Sequence, residues 1–468
     1  MSASYDFVVI GSGPGGYVAA IKAAQGGKKA AIIEKADLGG VCLNWGCIPT
    51  KALLKSAEVF QHLQHAEDYG IKPGSKPSVD YGKVIERSRQ VAKQNSQGVQ
   101  FLMKKHKIEV ISGTAKLVSR TGIEVTAADG AKQTIKANNI LIATGASARQ
   151  FPQYPIDGKN LVTYRHLLDL RDQPAKMLVI GAGAIGVEFA YFLNSLGSEV
   201  HLVEMLPQIL PVEDEEIAKQ LAASFKKQGI HCYTSTQVQE VKVIQDGKVS
   251  AKLLDADKKE INLEVNRVLV AVGMVPNTKD IGLDAAGVKT DERGFITVDG
   301  HQRTSSPGIY AIGDCSGKQL LAHKASAEAE VAVSDMLGHA MDAIDYGQVP
   351  GCTYCQPQVA SVGLTEKACK EKKLAYKVGR FPFSASGKAR AIGHTEGMVK
   401  LIIGEKYGEL LGAHILGAEA TEMLAELGLA LKLEATWEEI AQTIHAHPTL
   451  SEAVMEAAWD THGLSPHL

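Results

Sequence analysis

Cysteine is scarce in this chain, seven residues in 468, and unevenly spread. So few thiols cannot staple a secreted disulfide framework, and any two that lie close are better read as catalytic or metal-binding. An excess of one charge is lacking too. The 50 basic and 52 acidic residues give a formal net charge of -2, which steers the protein neither to nucleic acid nor to an anionic membrane surface. Long apolar runs are also missing: Met177 to Val187 contains glycines and ends at Glu188, short of the roughly 20 residues that cross a bilayer. The opening MSASYDFVVIGSG enters a strand-like run at once, so no secretory signal is expected. The expectation is an intracellular protein, cytoplasmic or, if a transit peptide has been removed, of the mitochondrial matrix.

What the chain does have is an internal duplication. Phe7-Val-Val-Ile-Gly-Ser-Gly-Pro-Gly-Gly16 is an apolar strand running into a glycine turn, and Met177-Leu-Val-Ile-Gly-Ala-Gly-Ala-Ile-Gly186 repeats it. Both units continue to a second strand ending in an acid, Glu34 in the first and Glu204 in the second. Two βαβ units are predicted. In each, the first glycine (Gly11, Gly181) permits the tight turn and the second (Gly13, Gly183) lets backbone approach a pyrophosphate. The third (Gly16, Gly186) brings helix against strand. The helix N-terminus offers unpaired N–H groups to phosphate, and the acid can accept from ribose hydroxyls. One such glycine set is weak evidence; two in register, both strand-flanked and both closed by an acid, point to two dinucleotides. Glu204 would repel a 2′-phosphate, and the next basic residue after it is Lys219, so the nicotinamide expected is NAD.

Asn139 to Gly145 and Arg267 to Gly273 read as buried strands closing the two units, Pro276-Asn277 as a turn, and Gly308 to Asp314 as a further strand ending in an acid. Beyond about residue 350 the pattern changes. Val359 to Gly363, Val399 to Ile403 and Gly412 to Leu416 look like antiparallel strands, followed by helical patterns from Ala418 to Lys432 and Trp437 to Ile444. This last third is expected to be a separate domain.

Cys42 and Cys47 follow the first unit directly. A disulfide needs its Cα atoms within about 7 Å, while residues five apart on a regular helix lie about 8 to 9 Å apart, so pairing requires a break in the Asn44-Trp45-Gly46 stretch. Pro49 suits a first helical turn, which would put Cys47 near a positive helix end where a thiolate is favoured. No second pair or Cys/His set lies near at zinc-ligand spacing, and no metal is expected. Spacing alone leaves two unrelated core cysteines open as a reading.

The segment Cys42-Leu-Asn-Trp-Gly-Cys47-Ile-Pro-Thr-Lys51 resembles the redox-active motif of the pyridine nucleotide-disulfide oxidoreductases, and its Leu-Asn and Ile-Pro elements look like those of the dihydrolipoyl dehydrogenase branch. The resemblance runs essentially the length of the chain. It takes in Ala143 to Gly145, Gly313-Asp314, Leu321 to Lys324 and the C-terminal His445-Ala-His-Pro-Thr-Leu-Ser-Glu452. Trp45 and Thr50 depart from the smaller aliphatic residue and the serine more usual there.

The resemblance implies an α/β fold: two Rossmann-like dinucleotide-binding domains, for FAD (1–148) and NAD (149–275), a central segment completing the FAD site (276–346), and a C-terminal α+β dimerisation domain (347–468). It implies that Gly11, Gly13, Gly16, Glu34 and Ala115 hold the adenosine end of FAD. Thr144, Gly145, Asp314, Ala322 and Lys51 would lie along the rest of that cofactor, and Gly181, Gly183, Gly186, Glu204, Val238 and Gly273 are assigned to NAD. Lys51 and Glu188 are expected to pair beside the flavin; Lys51 read alone would be a helix-surface charge. Glu188 sits inside an apolar helix start, where an unpaired carboxylate is costly. His447, oriented by Glu452, is the implied acid–base, reaching the cysteines of the partner subunit in a homodimer; without the resemblance the two histidines near the chain end would read as surface residues.

The implied reaction is oxidation of protein-bound dihydrolipoamide through a Cys42–Cys47 disulfide, with NAD+ reduced to NADH. The implied partners are lipoyl domains and the acyltransferase core of 2-oxo acid dehydrogenase complexes, or a glycine-cleavage carrier protein. The alternatives are another flavin disulfide reductase, of glutathione or mercuric type, and a non-catalytic flavoprotein. Cys352 and Cys355 form a CxxC without a surrounding βαβ pattern and read as local core or turn cysteines; Cys232, Cys315 and Cys369 read as ordinary thiols.

Overall fold

The computed structural model describes residues 3–468, the side chain of Asp246 excepted. The first unit is β1 (Ser4–Ile10), α1 (Pro14–Gln25) and β2 (Ala30–Glu34), with the two strands parallel. The buried side of α1 is Gly15, Gly16, Ala19, Ala20 and Ala23, small enough for close helix packing. After it come α2 (Gly40–Trp45), α3 (Cys47–Gln64) and α4 (Tyr81–Lys105). The last buries Tyr81, Ile85, Ser88, Ala92, Val99 and Met103 at helical spacing behind an Asp80 cap. Four strands follow: β3 (Glu109–Ser112), β4 (Thr114–Leu117), β5 (Gly122–Thr126) and β6 (Lys132–Ile142). The sheet order is β3-β2-β1-β6-β5-β4, parallel from β3 to β6 and antiparallel through β5 and β4.

The second unit repeats the theme. Its elements are β7 (Ala146–Ala148), β8 (Leu161–Val162), α5 (Tyr164–Leu167), β9 (Lys176–Ile180), α6 (Ala184–Ser195), β10 (Glu199–Val203), α7 (Glu215–Lys227) and β11 (His231–Tyr233). An antiparallel meander of β12 (Gln237–Val243), β13 (Val249–Leu254) and β14 (Glu260–Val265) leads into β15 (Arg267–Val270). The parallel sheet is β11-β10-β9-β15-β8. Helix α6 is buried on nearly every side, so its Glu188 has little access to water. The chain enters this unit through β7 and leaves through β16 (Met274–Pro276), which pair as an antiparallel ribbon. The turn expected at Pro276 is therefore a strand end; a two-stranded ribbon is all edge, and an edge tolerates proline.

β17 (Ile309–Ala311) returns to the first sheet beside β6, and α8 (Ala322–Leu337) packs on α1. The C-terminal region is an antiparallel sheet of β18 (Gly351–Thr353), β19 (Gln358–Gly363), β20 (Tyr376–Pro382), β21 (Met398–Gly404) and β22 (Leu410–Gly417), ordered β18-β19-β22-β21-β20. With it run α9 (Glu366–Glu371), α10 (Gly387–Ala391), α11 (Ala420–Lys432), α12 (Trp437–Gln442) and α13 (Glu452–Asp460). This is the expected architecture of two dinucleotide-type α/β units and a C-terminal α+β region. No helix among the described residues is long and apolar enough to cross a membrane.

The regions are joined by shared core. One apolar cluster takes Leu53, Leu54 and Ala57 from α3, Val187, Phe189 and Phe192 from α6, and Val359, Met398 and Leu416 from the C-terminal sheet. Nearby, the fully buried Lys400 on β21 meets Asp214 at 2.7 Å, Glu216 at 2.9 Å and Glu366 at 3.2 Å, with Arg380 also on Glu216 at 3.0 Å. Burial alone would raise the Asp214 and Glu216 carboxyls, but Lys400 outweighs it and holds both below the ordinary range. Their contribution to stability is thus present at neutral pH and lost as pH falls below about 4. Lys400→Met leaves the buried Asp214 carboxylate without its cation. It is expected to destabilise by about 3 to 5 kcal/mol, read as a lowered temperature of thermal unfolding.

Candidate active site

The helix expected to break between the two cysteines does so at one residue. α2 ends at Trp45, Gly46 takes φ -144° and ψ -114°, and α3 restarts at Cys47. Asn44 helps hold α2, its amide donating to the carbonyls of Leu38 (2.9 Å) and Gly40 (3.0 Å). The break brings the thiols of Cys42 and Cys47 into hydrogen-bonding contact, with Cys42 donating. That contact, reinforced by burial, pushes Cys42 well above the ordinary thiol range. The same contact pulls Cys47 below it despite burial, and the charge on Lys51 helps. The two sulfurs are therefore chemically unequal, with the thiolate favoured at Cys47 and the thiol at Cys42. Tyr17 lies beside them, its phenol raised by burial and by Cys42.

Lys51, one turn into α3, reaches Glu188 on α6, its Nζ donating to Oε1 at 2.9 Å and Oε2 at 3.0 Å. Burial lowers Lys51, but the Glu188 carboxylate and the two sulfurs outweigh it and hold the ammonium above its ordinary value. The two partners are 137 residues apart in sequence, and their contact joins the first and second units.

The glycine turns have the same geometry twice. Gly11 and Gly181 have φ of +101° and +99°, and a Cβ on Gly16 or Gly186 would lie 2.0 or 1.9 Å from the carbonyl oxygen of Gly11 or Gly181. Gly13 and Gly183 differ in kind, because a Cβ there would meet nothing within 4 Å. They cap α1 and α6 without any side-chain cap, so the helix N–H groups face open space. That is a cradle a diphosphate fits and a side chain would fill. Glu34 accepts from Ser12 N (2.9 Å) and Ala36 N (2.9 Å), and Glu204 likewise from Ala182 N (2.8 Å) and Leu206 N (2.9 Å).

At the first unit, the buried hydroxyl of Thr144 has no hydrogen-bond partner within its own surroundings. Burial raises Asp314, Lys324 only partly offsets this, and no hydrogen bond contributes. A polyhydroxyl chain bearing a flavin suits these groups. Gly145, at φ +69°, accepts from Asn277 N at 3.0 Å, and Ala322 opens α8. Ala115 is buried on β4; Val238 lies on β12 with its carbonyl accepting from Tyr154 at 2.8 Å; Gly273 follows β15 with φ +100°.

His447 and Glu452 lie elsewhere in the chain's fold. Nδ1 of the exposed imidazole lies 2.8 Å from Glu452 Oε1, and Thr449 N donates to Oε2 at 2.7 Å. Burial would raise Glu452, but Thr449 and His447 hold it below the ordinary carboxyl range. It heads α13, whose apolar side packs into the C-terminal core, while Cys42 packs with the first sheet.

Four features were not legible beforehand. Trp45 stands between the guanidinium groups of Arg89 (4.0 Å) and Arg165 (4.5 Å). Buried Lys324 and Glu328, 3.1 Å apart, brace the Gly313-Asp314 turn: Lys324 donates to the Gly313 and Gly317 carbonyls and Glu328 accepts from Gly313 N. Tyr354 contacts the Lys51–Glu188 pair, and Lys400 anchors the interdomain ion cluster. An i,i+4 Lys/Glu pair on an alanine-rich helix reads as solvent-facing, and the other partners are far apart in sequence. Cys355 is buried in the β18–β19 turn and Cys352 lies on β18.

Residues 5–329 match the family model for pyridine nucleotide-disulphide oxidoreductases. The chain belongs to that family. Residues 349–458 match the dimerisation domain of the same oxidoreductases. Among curated relatives, a dihydrolipoyl dehydrogenase of Chlorobaculum tepidum is 48% identical over 460 residues, 98% of this chain and 97% of the relative. One of Zymomonas mobilis is 47% identical over 468 residues, 100% of both. Among solved structures, LpdA from Mycobacterium tuberculosis superposes with a TM-score of 0.90 at 28% identity, covering 97% of this chain and 99% of that one. The flavoprotein disulfide reductase RclA from Escherichia coli, as its Cu(II) complex, gives 0.88 at 26% identity, covering 98% and 99%. The chain is thus an oxidoreductase of the dihydrolipoyl dehydrogenase branch, a family whose chemistry uses FAD and NAD(H).

Proposed function

We propose that this chain oxidises dihydrolipoamide to lipoamide as a homodimer, with the electrons leaving as NADH. The observation that carries the reading is the cysteine pair brought together at the Gly46 break between α2 and α3, with the Lys51–Glu188 pair beside it. In the oxidised enzyme the two sulfurs form a disulfide. His447 of the partner subunit, oriented by Glu452, takes a proton from a substrate thiol. The resulting thiolate attacks Cys42 and releases Cys47 as a thiolate. The second substrate thiol then displaces Cys42 and leaves as the cyclic disulfide.

Cys47 is the better leaving group because the Lys51 ammonium beside it favours its thiolate. FAD, when bound, supplies the two-electron link between this dithiol and the nicotinamide. Gly11, Gly13, Gly16, Glu34, Ala115, Thr144, Gly145, Asp314 and Ala322 would hold it. Gly181, Gly183, Gly186, Glu204, Val238 and Gly273 would hold NAD, with the Glu204 carboxylate set against a 2′-phosphate. Lys51 and Glu188 hold a fixed charge pair at the junction of the two sites. The lipoyl groups would be presented by 2-oxo acid dehydrogenase complexes or a glycine-cleavage carrier in the cytoplasm.

The test is direct. Purified flavoprotein should reduce NAD with dihydrolipoamide and show little turnover with NADP or with glutathione. Preference for NADPH and glutathione disulfide would move the chain to the glutathione-type alternative.

A further inference from the structure

The turn joining β18 to β19, Tyr354 to Pro357, belongs to the C-terminal sheet, yet its first residue is built into the Lys51–Glu188 pair. The main-chain N–H of Tyr354 donates to Glu188 Oε1 at 3.0 Å, the same oxygen that accepts from Lys51 at 2.9 Å. The Tyr354 ring lies under Lys51, its centroid 4.4 Å from Nζ. Three regions therefore meet at one ion pair: α3 supplies the ammonium, α6 the carboxylate, and the β18–β19 turn a donor for the second and an aromatic face for the first. Glu188 is 6% exposed and Lys51 32%, so without that turn the ammonium would have a wider path to water.

A cation over a ring face is held by the ring's quadrupole, an attraction that grows as the site is desolvated. A lysine on a flexible stem otherwise loses little by swinging away. The turn is itself anchored: the Cys355 thiol, fully buried, donates to the Pro357 carbonyl at 3.2 Å, and Cys355 packs into the cluster that includes α3 and α6.

We propose that Tyr354 is a positioning residue for hydride exchange with the nicotinamide, its N–H fixing Glu188 and its ring face fixing the Lys51 ammonium. This rests on the role proposed above for the Lys51–Glu188 pair. It adds that the C-terminal region, through one turn, sets the charge geometry between the two dinucleotide sites. The phenol hydroxyl, which pairs with Cys352, is not required, because the contacts to the Lys51–Glu188 pair are made by backbone and ring.

The experiment uses the holoenzyme and reads three quantities: the midpoint potential of the bound flavin, the rate of its reduction by NADH and the rate of its reduction by dihydrolipoamide. Tyr354→Phe should match the native protein in all three. Tyr354→Leu, which keeps the N–H and loses the ring, should lower the potential and slow reduction by NADH about 10-fold. Reduction by dihydrolipoamide should stay within about 2-fold. Phenylalanines carrying one to five ring fluorines at position 354 keep the shape while draining the ring face, and should give a graded fall in potential even if the leucine variant folds poorly. A flat fluorine series, or leucine behaving as phenylalanine, overturns the proposal. A Glu188→Gln control separates the two ideas. If it shifts the potential while the Tyr354 series stays flat, Tyr354 is not a positioning residue and the role of the ion pair stands. If Glu188→Gln itself changes nothing, the role of the pair falls and the inference with it.

Discussion

Cys47→Ser is expected to abolish oxidation of dihydrolipoamide, by at least about 10⁴-fold in kcat, while the protein keeps its bound flavin. A serine hydroxyl at the N-terminus of α3 is close in size to the thiol, so the break at Gly46 and the Lys51–Glu188 pair have no reason to move. What disappears is the sulfur that both closes the disulfide and leaves as a stabilised thiolate. Reduction of the bound flavin by NADH, with ferricyanide as terminal acceptor, should survive, because it needs the nucleotide sites and not the sulfurs. Flavin content from the visible spectrum and the two rates measured side by side decide the matter. Turnover of dihydrolipoamide persisting in this variant would sink the assignment.

Cys42→Ala should be inactive as well, for a different reason. It removes the thiol that donates to Cys47, and that hydrogen bond is the leading cause of the lowered Cys47 value. The thiolate of Cys47 should therefore titrate at higher pH in Cys42→Ala than in the native dithiol. The pH dependence of alkylation by iodoacetamide measures this, since only the thiolate reacts.

The parts legible in the sequence are those whose physical requirement is local. A tight turn with positive φ at Gly11 and Gly181, and the closeness of Gly16 to the Gly11 carbonyl, are settled within a few residues, so the pattern alone announces them. The strand-ending acids are local in the same sense: Glu34 reaches back only to the turn at Ser12 and forward to Ala36. Lys51 is the opposite case. Its partner is 137 residues away on another helix, and only the resemblance to a family named it. Lys400 and Tyr354 had neither a local pattern nor a motif to mark them. A lysine in the strand Met398–Gly404 reads as the polar face of an antiparallel sheet; the structure buries that whole strand and supplies three carboxylates from Asp214, Glu216 and Glu366. Trp45 stood out as a departure, and its place between two arginines depends on α4 and α5 arriving together.

A mixed dimer gives the second large effect, and it tests the partner-subunit role of His447. His447→Gln alone should slow the thiol half-reaction about 10³-fold, and Cys47→Ser alone is inactive. The Glu452 carboxyl is held below the ordinary carboxyl range by Thr449 and His447, so it is ionised at neutral pH, where it orients the imidazole. In one chain His447 stands exposed just before α13, whose apolar side packs into the C-terminal core, while the cysteines lie in the first unit. If the base comes from the second subunit, a dimer of one Cys47→Ser chain and one His447→Gln chain has one doubly damaged site and one intact site. Equal amounts of the two inactive proteins, dissociated and reassociated at random, should then recover about one quarter of native activity. If each chain supplied its own base, both sites of the hybrid would be damaged and mixing would recover nothing. The two outcomes differ by more than two orders of magnitude. A second hybrid, pairing Cys47→Ser with Lys51→Met, should stay inactive, because Lys51 and Cys47 sit on the same helix of the same chain and no reassortment restores an intact site.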